Sequence, residues 1–395
     1  MGENIGCMEM RRLELPDRSQ SKMLLDDLVV RIPTVAPQLV DRPLVLYGAG
    51  KLGQLAAQLM DFLGIPIAYA IDRSPPANNL LLDRIPVYLP EEAPKKNHAS
   101  HLVAVCVVVA PYTPIQSYLH TMGWLHVRPF YDVAEAYAGR VPLNNGWFAG
   151  ALNTNDREQI SRLLDAWYDD ISRAAHLQFL AWRVHREEWL FSAAPVTIDN
   201  RYFIPEVLSA LNSEECFLDA GAWRGTVCQR FLIESKGKFE QIVAIEADKD
   251  NACALRDWVK SLQPDQKNRI QIRECALSEE QGCFPFAHGY DLTSRLMPKA
   301  MGNVETFTLD YLNIPCSVAK IHLEGGELAA LQGGLKTLKR YRPILAITVY
   351  HNCDGLWRTA TWLMEHLSEY LFLFRMHAWC GTGAVIYAIP KERQV

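Results

Sequence analysis

The sequence predicts an α/β protein built from two Rossmann-like, doubly wound domains joined by a helical segment. Three observations carry that expectation. Apolar runs of strand length alternate with amphipathic runs of helix length in two separate stretches. Each stretch opens on a strand that runs straight into a glycine-rich turn. The 395 residues exceed one typical domain and suit two.

The elements follow in order. Residues 1–40 mix acid, base and proline without strong periodicity and read as a lead-in with one short helix. Residues 41–147 form the first expected domain. PLVLYGAGKLGQLAAQLMDFLGIPIAYAID reads as strand, glycine turn, helix, turn, strand, and HLVAVCVVVA as a strand covered on both faces. Residues 148–195 form the expected helical linker. From Asn155 to Phe191 the pattern is helical, one long helix or a pair, with Trp167, Phe179, Trp182 and Trp189 as packing residues. Residues 196–395 form the second domain. Its expected strands are CFLDA, QIVAIEA, RIQIREC, SVAKIHL, PILAITVY, YLFLFRM and AVIYAI. The loop between the last two is too short for a crossover helix, so the final strand should run antiparallel to its neighbour. The stretch CFPFAHGYDLTSRLM interrupts the alternation.

Composition excludes several classes. The net charge is -5, and the basic pairs Arg11–Arg12 and Lys95–Lys96 are isolated, which argues against a nucleic-acid partner. The ten cysteines show no CxxC pairing, and several sit in apolar runs, the usage of a reducing, cytoplasmic compartment. The longest apolar run, Leu102 to Pro111, is too short for a membrane span. The oligomeric state is left open.

The two glycine turns differ. Gly48, Gly50 and Gly53 form a complete GxGxxG between a strand and a helix, and Asp72 lies at the end of the next strand. This is the pattern of a nucleotide or nucleotide-sugar site, with phosphate at the helix N-terminus and ribose on the acid. The other reading is that the glycines only shape the turn. In the second turn, Asp219 precedes Gly221, Ala222, Gly225 and Thr226, while Glu246 and Ala247 end the following strand and Ala276 follows the third. A ligand with a ribose and an amino-acid tail but no phosphate suits this better than a dinucleotide. Glu246 would accept both ribose hydroxyls, Asp219 would hold the ammonium, and the segment around Ala276 would border the base. That description fits S-adenosylmethionine.

From Tyr202 to Pro390 the chain resembles the FkbM family of S-adenosylmethionine-dependent methyltransferases. The residues that carry the resemblance are YFIPEVLSAL, FLDAGAWRGTVCQRF, IEADKDN, ALSEEQG, TLDYL, AKIHLEGGELAALQGG, RPILAITVYHNCDGLW and AVIYAIP. The resemblance implies a seven-stranded class I methyltransferase sheet with an antiparallel last strand. The implied activity is methyl transfer to a hydroxyl of a sugar or a sugar-containing natural product, as in polysaccharide or natural-product modification. The partner would be a small-molecule or glycan acceptor. More loosely, the N-terminal stretch resembles Rossmann-like domains attached to such enzymes.

Where the family shows KIDVEGAE, this chain has KIHLEGGE, with His322 for aspartate and Gly326 for alanine. The comparison implies that this strand end borders the methyl-transfer site. Glu324 and Glu327 are then candidates for positioning the acceptor, with Glu324 also near the cofactor and Glu327 alternatively a helix-start acid. His351 is the preferred general base, beside Tyr350, with His322 and His377 as further candidates. A divalent-metal reading through Asp310, His322 and Glu324 is also open. The competing readings of the whole chain are an NAD(P)-dependent oxidoreductase, or a non-catalytic nucleotide-sugar binding module, built on the GAGKLG loop.

Overall fold

A computed structural model describes residues 10–94, 98–140, 148–298 and 300–394. Lys95–Lys96 and the expected domain end at residue 147 lie outside the described residues. The chain divides into two compact units. The first takes in Met1–Arg157, Ala174–Ile198 and Ala378–Thr382, and the second Glu158–Arg173, Asp199–His377 and Gly383–Val395.

Among the described residues the first unit contains eight strands: β1 (Met10–Leu13), β2 (Leu44–Tyr47), β3 (Ile67–Ile71), β4 (Leu80–Leu81), β5 (Ile85–Tyr88), β6 (Leu102–Val105), β7 (His126–Pro129) and β8 (Glu188–Phe191). Six of them form a sheet in the order β4-β5-β3-β2-β6-β7, parallel except for β4. Alternation splits β2 between two cores, Leu44 and Leu46 in one and Val45 and Tyr47 in the other. The expected lead-in helix spans Arg18–Val30, capped by Asp17 and Gln20 acting on each other's backbone.

The expected helical stretch to Phe191 is corrected in part. It is two helices, Thr154–Ala166 and Asp170–His185, and Trp189 belongs to β8, paired in parallel with β1. The second helix ends where Arg186 adopts φ 60, in the left-handed region, with its guanidinium paired to buried Asp132 at 3.0 Å. Trp167, Phe179, Trp182 and Trp189 are all buried, as packing residues are.

The second unit contains β9 (Cys216–Ala220), β10 (Gln241–Ile245), β11 (Ile270–Arg273), β12 (Ala276–Leu277), β13 (Gly282–Ala287), β14 (Arg295–Leu296), β15 (Gly302–Phe307), β16 (Val318–Ile321), β17 (Ile344–Thr348), β18 (Tyr370–Met376) and β19 (Ala384–Pro390). Seven form a sheet in the order β11-β10-β9-β16-β17-β19-β18. β11 to β17 run parallel, and β19 lies antiparallel between β17 and β18. From β9 the chain moves outward to β10 and β11, then returns past β9 to β16 and β17, so the strand order reverses between β9 and β16, where a doubly wound sheet opens a crevice. The interrupting stretch becomes a second, four-stranded sheet, β12-β15-β13-β14. Among the described residues no helix is long and apolar enough to cross a membrane.

Candidate active site

The crevice at the β9/β16 switch point is a cleft of about 670 Å³, counting its open mouth. Gly221, Glu246, Ala247, His322, Leu323 and Glu324 line it from the large sheet. Ala276, Leu277, Phe286, Arg295 and Leu296 line it from the small sheet. The large sheet therefore supplies charge and backbone, and the small sheet supplies mostly apolar surface.

Gly221 is required by geometry. Its φ is +77, and a Cβ there would stand 2.0 Å from the carbonyl oxygen of His322. The loops after β9 and β16 thus touch backbone to backbone at the floor of the cleft. Glu246 ends β10 with both carboxylate oxygens turned back on the chain, accepting from Trp223 N at 2.7 Å and Asp248 N at 2.8 Å. Burial pushes its carboxyl up to about 7, although the two N–H donors favour the charged form. Asp248 caps the helix Lys249–Ser261 and also accepts from Gly289 N and Ser294 Oγ, tying the small sheet's loop to the cleft wall.

Asp219 is fully buried and lies outside the cleft lining, and Lys320 of the neighbouring strand reaches it with Nζ at 2.9 Å. Lys320 also donates to Gly221 O at 2.6 Å, so the pair braces the glycine turn from below. Ala222, Gly225 and Thr226 do not line the cleft either. Ala222 is buried, Thr226 begins the helix Thr226–Glu234, and a Cβ on Gly225 would meet Trp258 at 2.5 Å. Gly225 serves helix packing.

At the end of β16 the chain turns through two left-handed residues, Glu324 at φ 51 and Gly325 at φ 107. The turn folds the Glu324 carboxylate back onto His322, whose Nε2 lies 2.9 Å from Oε1. His351 Nε2 approaches the same oxygen at 3.4 Å. The two imidazoles stack, centroids 4.9 Å apart. His322 Nδ1 pairs with Tyr202 Oη at 2.8 Å and His351 Nδ1 with Glu327 Oε1 at 3.0 Å. Burial pushes His322 down to about 3, against the pull of Glu324, and keeps it neutral at pH 7. Burial opposes charge on Glu324 too, but the imidazoles of His351 and His322 and the Arg295 guanidinium outweigh it and hold the carboxyl down at about 2.

The structure brings His322, Glu324, Glu327, Tyr350 and His351 together and sorts them. His322 and Glu324 face the cleft, and His351, Glu327 and Tyr350 do not. Buried Glu327 accepts from Leu323 N, Gly325 N and Thr348 Oγ1, and so shapes the loop. Tyr350 Oη accepts from Arg201 at 2.7 Å. His377 is buried against Tyr387, with Nε2 2.8 Å from Oη, outside the cleft lining. Asp310 is not in the cluster, because its carboxylate accepts from Lys336 N and Thr337 N at the start of the helix Leu335–Tyr341.

In the first unit, the helix Lys51–Leu63 follows the GAGKLG turn. Gly48 has φ +103, and a Cβ on Gly53 would stand 2.0 Å from Gly48 O, whereas Gly50 has open space around it. Asp72 accepts from Ala49 N at 2.6 Å and Ser74 N at 2.7 Å, which holds the turn closed.

Two contributors escaped the sequence reading. Lys320 stood in plain view as a lone cation in the apolar run SVAKIHL. The small-sheet wall lay in the stretch noted only for breaking the alternation.

The chain is similar over nearly its whole length to the crystal structure of the methyltransferase FkbM from Methylobacillus flagellatus. The TM-score is 0.63 at 18% identity, over 95% of this chain and 100% of that one. At that identity the likeness establishes a shared fold: this is a methyltransferase-type α/β architecture. A precorrin-6y C5,15-methyltransferase from Geobacter metallireducens (17% identity, 46% of this chain and 85% of that one, TM-score 0.29) and a methyltransferase from Geobacter sulfurreducens (12%, 59% and 97%, 0.28) overlap too loosely to argue from. No protein-family model and no curated protein matches the chain.

Proposed function

We propose that the protein is an S-adenosylmethionine-dependent methyltransferase acting on a hydroxyl of a sugar or sugar-containing natural product. The observation that carries the reading is the cleft at the β9/β16 switch point, with a glycine bend at Gly221 on one side and the Glu246 carboxylate at the adjacent strand end. The cleft suits the cofactor. Glu246 would accept the ribose hydroxyls, Ala276, Leu277 and Phe286 would flank the base, and the backbone at Gly221 would meet the amino-acid tail. When bound, the cofactor supplies an electrophilic methyl group on a sulfonium.

The chain's own residues then have two tasks. The cleft walls align the acceptor oxygen with that methyl group, and orientation alone is worth roughly 7–11 kcal/mol. The acceptor hydroxyl lies against His322 and Glu324, which accept its hydrogen bond and set its direction, and its proton passes to water as the new C–O bond forms. Buried Tyr202 holds His322, and buried Glu327 holds the backbone on either side of Glu324, without touching the acceptor. The GAGKLG loop of the first unit is assigned to a nucleotide or nucleotide-sugar. Domain limits near residues 41–147 and 196–395 and a cytoplasmic location belong to the same reading.

The test is incubation with methyl-labelled cofactor and a panel of glycans and nucleotide-sugars. Label appearing on a hydroxyl acceptor supports the reading. A chain that binds the cofactor yet labels no member of a broad panel of hydroxyl and amine acceptors removes it in favour of a binding module.

A further inference from the structure

We propose that His322, Glu324 and His351 form a binding site for one divalent transition-metal ion beside the cleft. Each offers one ligand atom, and the three atoms lie within 4.8 Å of one another. Two of the three separations match those of neighbouring ligands on one ion. His322 Nε2 and His351 Nε2 stand 2.9 Å and 3.4 Å from the same Glu324 oxygen. Two ligands each about 2.1 Å from one ion, at right or tetrahedral angles, lie about 3.0–3.4 Å apart. A simple hydrogen-bonded pair needs one imidazole nitrogen on that oxygen, and here two converge.

The surroundings support the same reading. An imidazole that binds metal through one nitrogen usually has the other held by a carboxylate or another oxygen. His351 Nδ1 is held by Glu327 Oε1 at 3.0 Å, and His322 Nδ1 by Tyr202 Oη at 2.8 Å. Glu327 is itself fixed by Thr348 Oγ1 and two backbone N–H groups. Both Nε2 atoms are thereby aimed at Glu324, whose left-handed backbone at φ 51 is a conformation seldom adopted without a reason. Asn352 Nδ2 pins the next residue by donating to Gly325 O at 3.0 Å.

Two imidazoles and one carboxylate select an ion of the manganese-to-zinc series over magnesium or calcium. His322 and Glu324 also line the cleft, so the remaining coordination positions face it. The claim of metal binding stands alone. Assigning an open position to an acceptor oxygen rests on the methyl-transfer reading above.

The experiment uses the full chain, stripped with chelator and titrated with Co2+ alone, followed by visible absorption and by competition with Zn2+. The expected result is one ion per chain, bound through nitrogen and oxygen, with affinity falling at least about tenfold in the His322→Gln/His351→Gln double variant. Replacing the exposed thiols Cys253, Cys283 and Cys353 with serine should leave uptake unchanged. If the double variant does not fold, Glu324→Gln, which keeps size and one acceptor oxygen, serves instead. No Co2+ uptake at about 100 μM, or equal uptake by wild type and variant, overturns the proposal. Cofactor binding is measured on the same samples. A chain that binds the cofactor but no metal sinks this proposal alone, and one that binds Co2+ at the triad but no cofactor sinks the methyl-transfer reading alone.

Discussion

Glu246 should make the ligand-free protein lose stability as pH rises. Its carboxyl is pushed up to about 7 by burial, from the ordinary 4.5. Between those values the folded chain holds a proton that the unfolded chain releases. Stability contributed by that proton is fully present below about pH 4.5 and is lost as pH rises to about 7. The difference of about 2.5 pH units, at 1.36 kcal/mol each, is about 3 kcal/mol. Glu246→Gln removes the titration. It does not simply restore the lost stability, because glutamine has one acceptor oxygen where the carboxylate meets two N–H donors, Trp223 N and Asp248 N. One donor is then left facing an NH2, at roughly 1–3 kcal/mol. The clean readout is therefore the slope. Urea denaturation of wild type and variant, between about pH 4 and pH 8, should show the difference in stability drifting in the variant's favour by about 3 kcal/mol. A constant difference across that range would refute the argument that burial, rather than its hydrogen bonds, governs this carboxylate.

The remaining predictions concern the floor of the cleft and the two glycine turns. Lys320→Met should destabilise the fold by about 3–5 kcal/mol in urea, because it strands fully buried Asp219, and Asp219→Leu/Lys320→Met should recover most of that loss. Gly221→Ala should fail to fold or lose several kcal/mol, since its Cβ would stand 2.0 Å from backbone, while Gly50→Ala should stay within about 1 kcal/mol because nothing lies near it. His322→Gln should lower methyl-transfer turnover by up to about 10²-fold, the scale of a misplaced acceptor, with little change in cofactor affinity, and single-turnover kinetics beside calorimetry separates the two.

Much of the second unit was legible because its strands carry their own signal. CFLDA, QIVAI and VAKI are apolar runs followed by charge or glycine, and they occupy β9, β10 and β16. The charge at KIHLEGGE marked a strand end beside a cleft, and His322, Glu324 and His351 do converge there. Pairing across the sheet was not legible. Lys320 neutralises Asp219 because β16 lies beside β9 with those residues in register, and register is not written in either strand alone. β8 was misread as helix because its partner, β1, lies 178 positions away at Met10↔Glu188. The small sheet was hidden by Pro285 inside β13, a residue that normally argues against a strand. Asp310 fitted a ligand set by type alone, and only the structure showed its carboxylate spent on backbone N–H groups.

The central claim is that the ends of β9 and β10 hold an adenosyl amino acid. Calorimetric titration of the full chain with S-adenosylhomocysteine, beside Glu246→Ala, tests it most directly. One site should appear, weakened in the variant by about 2–3 kcal/mol, the scale of lost hydrogen bonds to a charged group. No heat of binding in the wild type, or the same affinity in both proteins, would contradict it.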